Sequence, residues 1–171
     1  MVLSISLQAT ADAGVDATIC EGSTYTLSTA TATNAATILW TTSGTGTFSS
    51  NIVQNPVYTP SQNDIDDGSV ILTMTVTSAA PCVGDADQMV LTINPQATVN
   101  AGVDATICEG SDYTLSTAVA TDATSLLWTS SGTGTFDDAT ILAATYTPST
   151  ADITAGSVTL TLTAQSAAPC V

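Results

Sequence analysis

The chain repeats itself at a spacing of 88 residues. Residues 13–23 read AGVDATICEGS and recur unchanged at 101–111. Between 13–83 and 101–171, 47 of 71 positions are identical, and no gap is needed. Identity of that degree implies two copies of one fold, and a repeat constrains the architecture before any local reading does. A unit of 88 residues is long enough to bury its own core. The pattern therefore predicts independent beads rather than a solenoid whose short units share a core.

The repeats are out of frame with the chain. Residues 1–12, MVLSISLQATAD, align with 89–100, MVLTINPQATVN. Residues 1–10 accordingly read as the last strand of a preceding repeat. Residues 11–98 read as a first repeat, and 99–171 as a second that lacks its last strand. Met1 aligns with the internal Met89, so it need not mark a true start. One expectation is a window cut from a longer array. The other is a short subunit whose N-terminal strand completes the open sandwich of a neighbour, as in strand addition to an exposed edge.

Composition points to an all-β chain. There are 34 Thr, and Thr and Val suit the half-buried surface of a sheet. Two Glu and no Lys leave few strong helix formers. Alternation predicts strands at about 24–29, 37–42, 45–48, 56–60, 69–78 and 88–93. In 69–78, Val70, Leu72, Met74 and Val76 fall on one face, and Thr73, Thr75 and Thr77 on the other. Turn signals separate the runs, among them Glu21-Gly22, Ser43-Gly44 and Asp67-Gly68. About seven short strands per repeat, with a Trp on the third, fit an immunoglobulin-like β-sandwich. Trp40 and Trp128, with Tyr58 and Tyr146, are read as core anchors rather than ligand platforms.

The same composition excludes whole classes of function. The formal charge is −15, with no Lys, Arg or His. There is no imidazole for acid–base work near neutral pH. Phosphate binding needs a basic footprint, so nucleic acid is not a partner. An anionic membrane surface would repel the chain, and no apolar run is long enough to span a bilayer. Only Asp pairs remain as possible catalytic acids and bases, and no motif supports them. The chain reads as a non-enzyme.

Four Cys in two equivalent pairs suggest disulfides and an oxidising, extracellular setting. Pairing within a copy would join Cys20 to Cys82 and Cys108 to Cys170. In an immunoglobulin-like sandwich, however, Cys20 lies toward one pole and Cys82 toward the other. A strand of eight residues separates the poles by roughly 25 Å, whereas a disulfide needs Cα atoms within about 7 Å. A head-to-tail array would instead bring Cys20 toward Cys170 and leave Cys82 and Cys108 for neighbouring repeats. That inter-repeat pairing is favoured, and the within-copy pairing stays open.

The acidic residues are first of all solvated charge. A calcium site is the alternative, since calcium takes six to eight oxygen ligands. Its candidates lie near the predicted joints: Asp12, Asp16 and Asp104, with Asp85 and Asp87 in the loop before the last strand. Asp64, Asp66 and Asp67 form a second group, of which the second copy keeps only Asp152.

The pattern AGxDxTICEGSxYTLS, then LWTxSGTGTF, YTPSxxDIxxGSVxLTxT and AAPCV, resembles repeats of giant cell-surface proteins of Bacteroidota. Those repeats are usually described as PKD-like or Ig-like. They occur in adhesins exported by the type IX secretion system, some linked to gliding motility or surface capture. The resemblance covers essentially the whole chain. It implies a stalk or filament in an extracellular, cell-surface adhesin, where neighbouring repeats are the first partners and side-by-side bundling is possible. The alternative is a module whose loops bind a glycan or another surface. The variable stretch, Ser49–Val57 against Asp137–Thr145, is where such specificity would sit.

Overall fold

Alternating apolar and Thr residues give strands with one buried and one wet face. A computed structural model describes residues 1–170. The chain divides into two units, Met1–Pro95 and Gln96–Val171. In the first unit the strands are β1 (Thr10–Asp12), β2 (Ala17–Cys20), β3 (Tyr25–Thr26), β4 (Thr31–Thr33) and β5 (Thr37–Thr42). They continue as β6 (Thr47–Phe48), β7 (Val57–Thr59), helix α1 (Gln62–Asp66), β8 (Ser69–Thr77) and β9 (Asp85–Asn94).

One sheet of this unit has the order β2-β9-β8-β5, and the facing sheet has the order β3-β7-β6. A small β1-β4 pair accompanies them. β2 runs parallel to β9, whereas β8 pairs antiparallel with both β9 and β5. Val70, Leu72, Met74 and Val76 of β8 are all buried, and Thr75 and Thr77 are exposed. Aromatic contacts join the two sheets. Trp40 of β5 lies 6.0 Å from Phe48 of β6, and Phe48 lies 5.0 Å from Tyr58 of β7, between ring centroids. The buried Trp40 indole donates to Val53 O at 3.1 Å, which satisfies its one polar atom. The unit is an immunoglobulin-like β-sandwich.

The second unit repeats this plan with β10 (Thr98–Asn100), β11 (Tyr113–Thr114), β12 (Val119–Thr121), β13 (Ser125–Ser130), β14 (Thr135–Phe136) and β15 (Thr145–Thr147). Helix α2 (Thr150–Ala155) and β16 (Leu160–Gln165) complete it. Trp128, Phe136 and Tyr146 repeat the aromatic stack, and Trp128 donates to Leu142 O at 3.2 Å. Among the described residues, β16 pairs with β13 alone.

Several elements differ from the sequence reading. The strand expected at 24–29 shrinks to Tyr25–Thr26, because the chain turns at Leu27–Ala30. The last strand begins at Asp85 rather than 88, so Asp85 and Asp87 lie on a strand and not in a loop. β1, β2 and β4 and both helices were not anticipated. Each helix is a single capped turn. Ser61 accepts from the Asp64 N–H while Asp64 accepts from the Ser61 N–H, and Ser149 and Asp152 do the same in the second unit.

Candidate functional site

Two of the four cysteines flank the strand pair of β2 and β9: Cys20 at the end of β2, and Cys82 in the loop before β9. Asp16, at the start of β2, accepts the Val90 N–H of β9 at 2.8 Å. At the other end of β2, the Glu21 N–H reaches Asn94 O at 2.8 Å. Between them Ala17, Thr18, Ile19 and Cys20 pair in parallel with Leu91, Thr92, Ile93 and Asn94. Gly22, at φ 78°, then reverses the chain, a backbone conformation that costs glycine little.

The second unit carries the same residues without that partner. Residues 105–108, identical in sequence to 17–20, form no strand. An open cleft of about 810 Å³ lies there, lined by Ile107, Leu115, Trp128, Val158 and Leu160 among others. Ile107 is 38% exposed, against 9% for its counterpart Ile19.

The four cysteines fall into two chemical states. Cys20 and Cys170 are disulfide-bonded. Cys82 and Cys108 are free thiols. No Cys20–Cys82 bond exists in this structure, nor any Cys108–Cys170 bond. Cys82 lies in the loop between β8 and β9, and its thiol donates to Ser6 O at 3.2 Å. Cys108 is exposed.

Four of the five candidate calcium ligands, Asp12, Asp16, Asp85 and Asp87, are engaged with backbone amides. Asp85 accepts from Ala11 N–H at 3.0 Å, and Asp87 from Ala13 N–H at 2.8 Å. Asp12 closes a local turn on Gly14 N–H at 2.8 Å, as Asn100 does on Gly102. Asp104 lines the open cleft. Among the described residues, no three His, Cys, Asp or Glu side chains are grouped so as to hold a metal ion.

Asp64 has a different role from its neighbours Asp66 and Asp67. It is 0% exposed. Its carboxylate accepts from Tyr58 OH at 2.7 Å, Thr45 N–H at 2.8 Å, Gly46 N–H at 3.0 Å and Ser61 N–H at 3.1 Å. Burial pushes this carboxyl upward, but the hydrogen bonds from Tyr58, Thr45 and Ser61 outweigh it and hold it below the usual range. Burial likewise drives the Tyr58 hydroxyl up to about 12, against the opposing bond to Thr42 and with the help of Asp64. In the second unit, amide donation from Ser149 and Thr133, with the Tyr146 hydroxyl, holds Asp152 far below the usual range. A Cβ on Gly44 would collide with the Asp64 carboxylate, which explains the glycine in SGTG. The signal in the sequence was that Asp64 alone of its acidic group survives in both copies.

The main chain of the variable stretch meets each Trp in the same way in both units. Trp40 N–H donates to Asn51 O and Trp128 N–H to Ala139 O, both at 2.8 Å. Backbone carbonyls thus cover Trp40 and Trp128 alike, while in the first unit the side chains of Gln54 and Asn55 also donate to Ala30 O and Leu27 O.

No protein-family model matches the chain, and no curated protein matches it. Among solved structures, it is similar to a protocadherin gammaB7 EC3-6 cis-dimer structure, with 13% sequence identity and a TM-score of 0.45. That match covers 91% of this chain and 43% of the other, so the chain spans less than half the length of the protein it matches. No helix among the described residues is long and apolar enough to cross a membrane.

Proposed function

We propose that this chain is a stretch of structural stalk in a large extracellular adhesin, in which tandem sandwiches set the reach and a disulfide staples each joint. The observation that carries the reading is the split among the cysteines. Cys20 and Cys170 belong to different copies and are both bonded, while the within-copy candidates Cys82 and Cys108 are thiols. Pairing Cys20 with Cys170 would cross from one repeat to the next. A covalent link there would limit bending and keep the array straight under load.

Other features agree with a load-bearing role. Each repeat has its own core, so one bead can stand without the next. At roughly 30–40 Å per repeat, from strand length plus end loops, many copies would project a tip far from a cell. The acidic surface keeps arrays soluble and apart. Nothing in the reading calls for catalysis. The resemblance to Bacteroidota surface repeats supports this assignment and the cell-surface location that goes with it.

Peptide mapping under non-reducing conditions tests the staple. The chain has no Lys or Arg for trypsin, but cleavage before Asp places each Cys in its own fragment. The expected cross-linked pair contains Cys20 and Cys170. Recovery of both as unlinked fragments, or of Cys20 with Cys82, would overturn the reading. Small-angle scattering with and without reductant then measures whether the bond straightens the pair of repeats.

A further inference from the structure

The wet face of a sheet is where a soluble chain ordinarily places charge, and this chain has 15 Asp and Glu to place. None of them lies on the outward face of β5, β8 and β9. Asp85 and Asp87 of β9 turn to the opposite side, where they hold the Ala11 and Ala13 N–H groups. Asp16 stands at the rim, with its carboxylate tied to Val90 N–H. What the face does present is apolar and hydroxyl. Leu39, Ile71 and Val90 are 43%, 41% and 38% exposed. Ile71 pairs with Val90, Thr41 with Thr73 and Leu39 with Thr75, which makes one continuous band. The second unit repeats it: Leu127 is 48% exposed and pairs with Thr163, beside Thr129 and Thr161. The facing sheet offers no such band, because β3, β6 and β7 have two or three residues each and no exposed large apolar side chain.

We propose that this face packs against the same face of a second copy of this chain, so that two stalk arrays lie side by side through uncharged sheet. Charge selects the occupant. Each copy has a formal charge of −15 and no Lys, Arg or His. Two copies therefore repel wherever their carboxylates meet, and the repulsion is least where neither side carries one. Sheets stack face to face about 10 Å apart, with strand directions within about 30° of each other. A band of Thr and branched aliphatic side chains permits that approach. Its hydroxyls do not oppose burial. Thr37 and Thr77 share a hydrogen bond at 2.6 Å, and Thr163 donates to Leu127 O at 3.1 Å. These groups keep their partners when water leaves.

Area sets the strength. Three strands about 4.8 Å apart, each about seven residues long at ~3.3 Å per residue, give a face of roughly 300 Å². A standard stable interface takes about 800 Å² from each partner. One repeat therefore pairs weakly, and durability comes from repetition along an array. In that respect the inference rests on the stalk reading, although the pairing of faces is measured without it. A face that meets itself makes a two-fold, closed contact. It joins arrays in pairs and leaves the acidic remainder of each outward, where it keeps one pair from the next.

Sedimentation equilibrium of the full chain up to millimolar concentration tests the pairing, with the free thiols of Cys82 and Cys108 capped by iodoacetamide. A reversible monomer–dimer equilibrium is expected. It should tighten as sodium chloride is raised, because salt screens the repulsion between copies and leaves the uncharged contact intact. The double variant Leu39→Asp, Leu127→Asp sets a carboxylate in each band and is expected to weaken dimerisation about tenfold or more, as like charges placed face to face do. Both sites are exposed, and circular dichroism checks the fold. If that variant unfolds, Thr75→Asp, Thr163→Asp places the charge at the paired exposed positions with the same expectation. The variant Val15→Asp, Val103→Asp adds equal charge at exposed apolar sites on no strand and should dimerise nearly as the parent does. A chain that is monomeric at every concentration and salt overturns the pairing. So does charge on the band that harms no more than charge at Val15 and Val103. A monomeric chain that instead binds insoluble cellulose, and loses that binding in Leu39→Asp, gives the face to a neutral glycan and overturns it too. The Cys20–Cys170 staple is read separately by peptide mapping, so the pairing and the stapled stalk fail independently.

Discussion

The two units share an identical segment, AGVDATICEGS, yet fold it differently. In the first, residues 17–20 form β2 alongside β9; in the second, residues 105–108 form no strand. Local propensity cannot account for the difference, because the sequences are the same. The partner decides: β2 exists where β9 offers it hydrogen-bonding groups and an apolar face, and the same residues stay irregular where that partner is absent. The effect spreads to the neighbouring strand. β8 is regular from Ser69, while β16 becomes regular only at Leu160, three residues later than the equivalent position, Ser157.

The largest test of this comparison lies in a feature both units keep. Asp64→Ala removes the acceptor for Tyr58 OH and for three backbone N–H groups. Leaving such buried donors unpaired should cost about 3–5 kcal/mol in the first unit. Each unit has one Trp, so chains with Trp40→Phe or Trp128→Phe report urea unfolding of one unit by fluorescence. The second unit should be the less stable of the two, and Asp152→Ala should leave it unfolded at lower urea than Asp64→Ala leaves the first. A loss below about 1 kcal/mol for Asp64→Ala would mean the network is ornamental.

Leu91→Ala sharpens the contrast between a strand that is docked and one that is not. Leu91 is fully buried in β9, and its truncation should cost about 2–4 kcal/mol. Leu3→Ala removes the same atoms from an exposed site and should change monomer stability by less than about 0.5 kcal/mol. Equal effects would show that residues 1–6 are already packed in the monomer.

Acid and base should act on the same network in opposite directions. Asp64 and Asp152 titrate below the ordinary carboxylate value when folded. The stability they lend is therefore present above the unfolded value near 3.9 and lost as pH falls toward the lowered folded values. Tyr58 is raised to about 12, so its contribution is present below the unfolded value of about 10 and lost as pH rises from 10 toward 12. Melting temperature against pH should fall at both ends, and Asp64→Asn should flatten the acid limb of the first unit. An unchanged acid limb in that variant would assign the loss to other carboxylates.

Much of this architecture was legible in the sequence, and the illegible parts share a cause. Strands β5 and β8 carry clear alternation around Trp40 and Met74, so their bounds were readable to within a residue. The repeat exposed both sandwiches at once. β1, β2 and β4 have three or four residues each and exist through their partners, so no window of local sequence contains their signal. Helix α1 did announce itself, in the spacing of Ser61 and Asp64, but a five-residue turn without strong helix formers does not register as periodicity. Asp64 read as surface charge because sequence does not show burial. Its survival in the second copy, where Asp66 and Asp67 are lost, was the available clue.

The smallest effect tests the edge itself. Asp16 receives the Val90 N–H at 2.8 Å on the exposed flank of β9. Asp104 is its equivalent and has no β9 beside it. Asp16→Ala should cost the first unit about 1 kcal/mol, the worth of one charge-assisted bond at a wet edge. Asp104→Ala should leave the stability of the isolated second unit unchanged, because the bond it would make has no donor there. If Asp104→Ala destabilises the monomer as much as Asp16→Ala does, the two edges are equivalent after all, and the contrast between the units fails at its finest point.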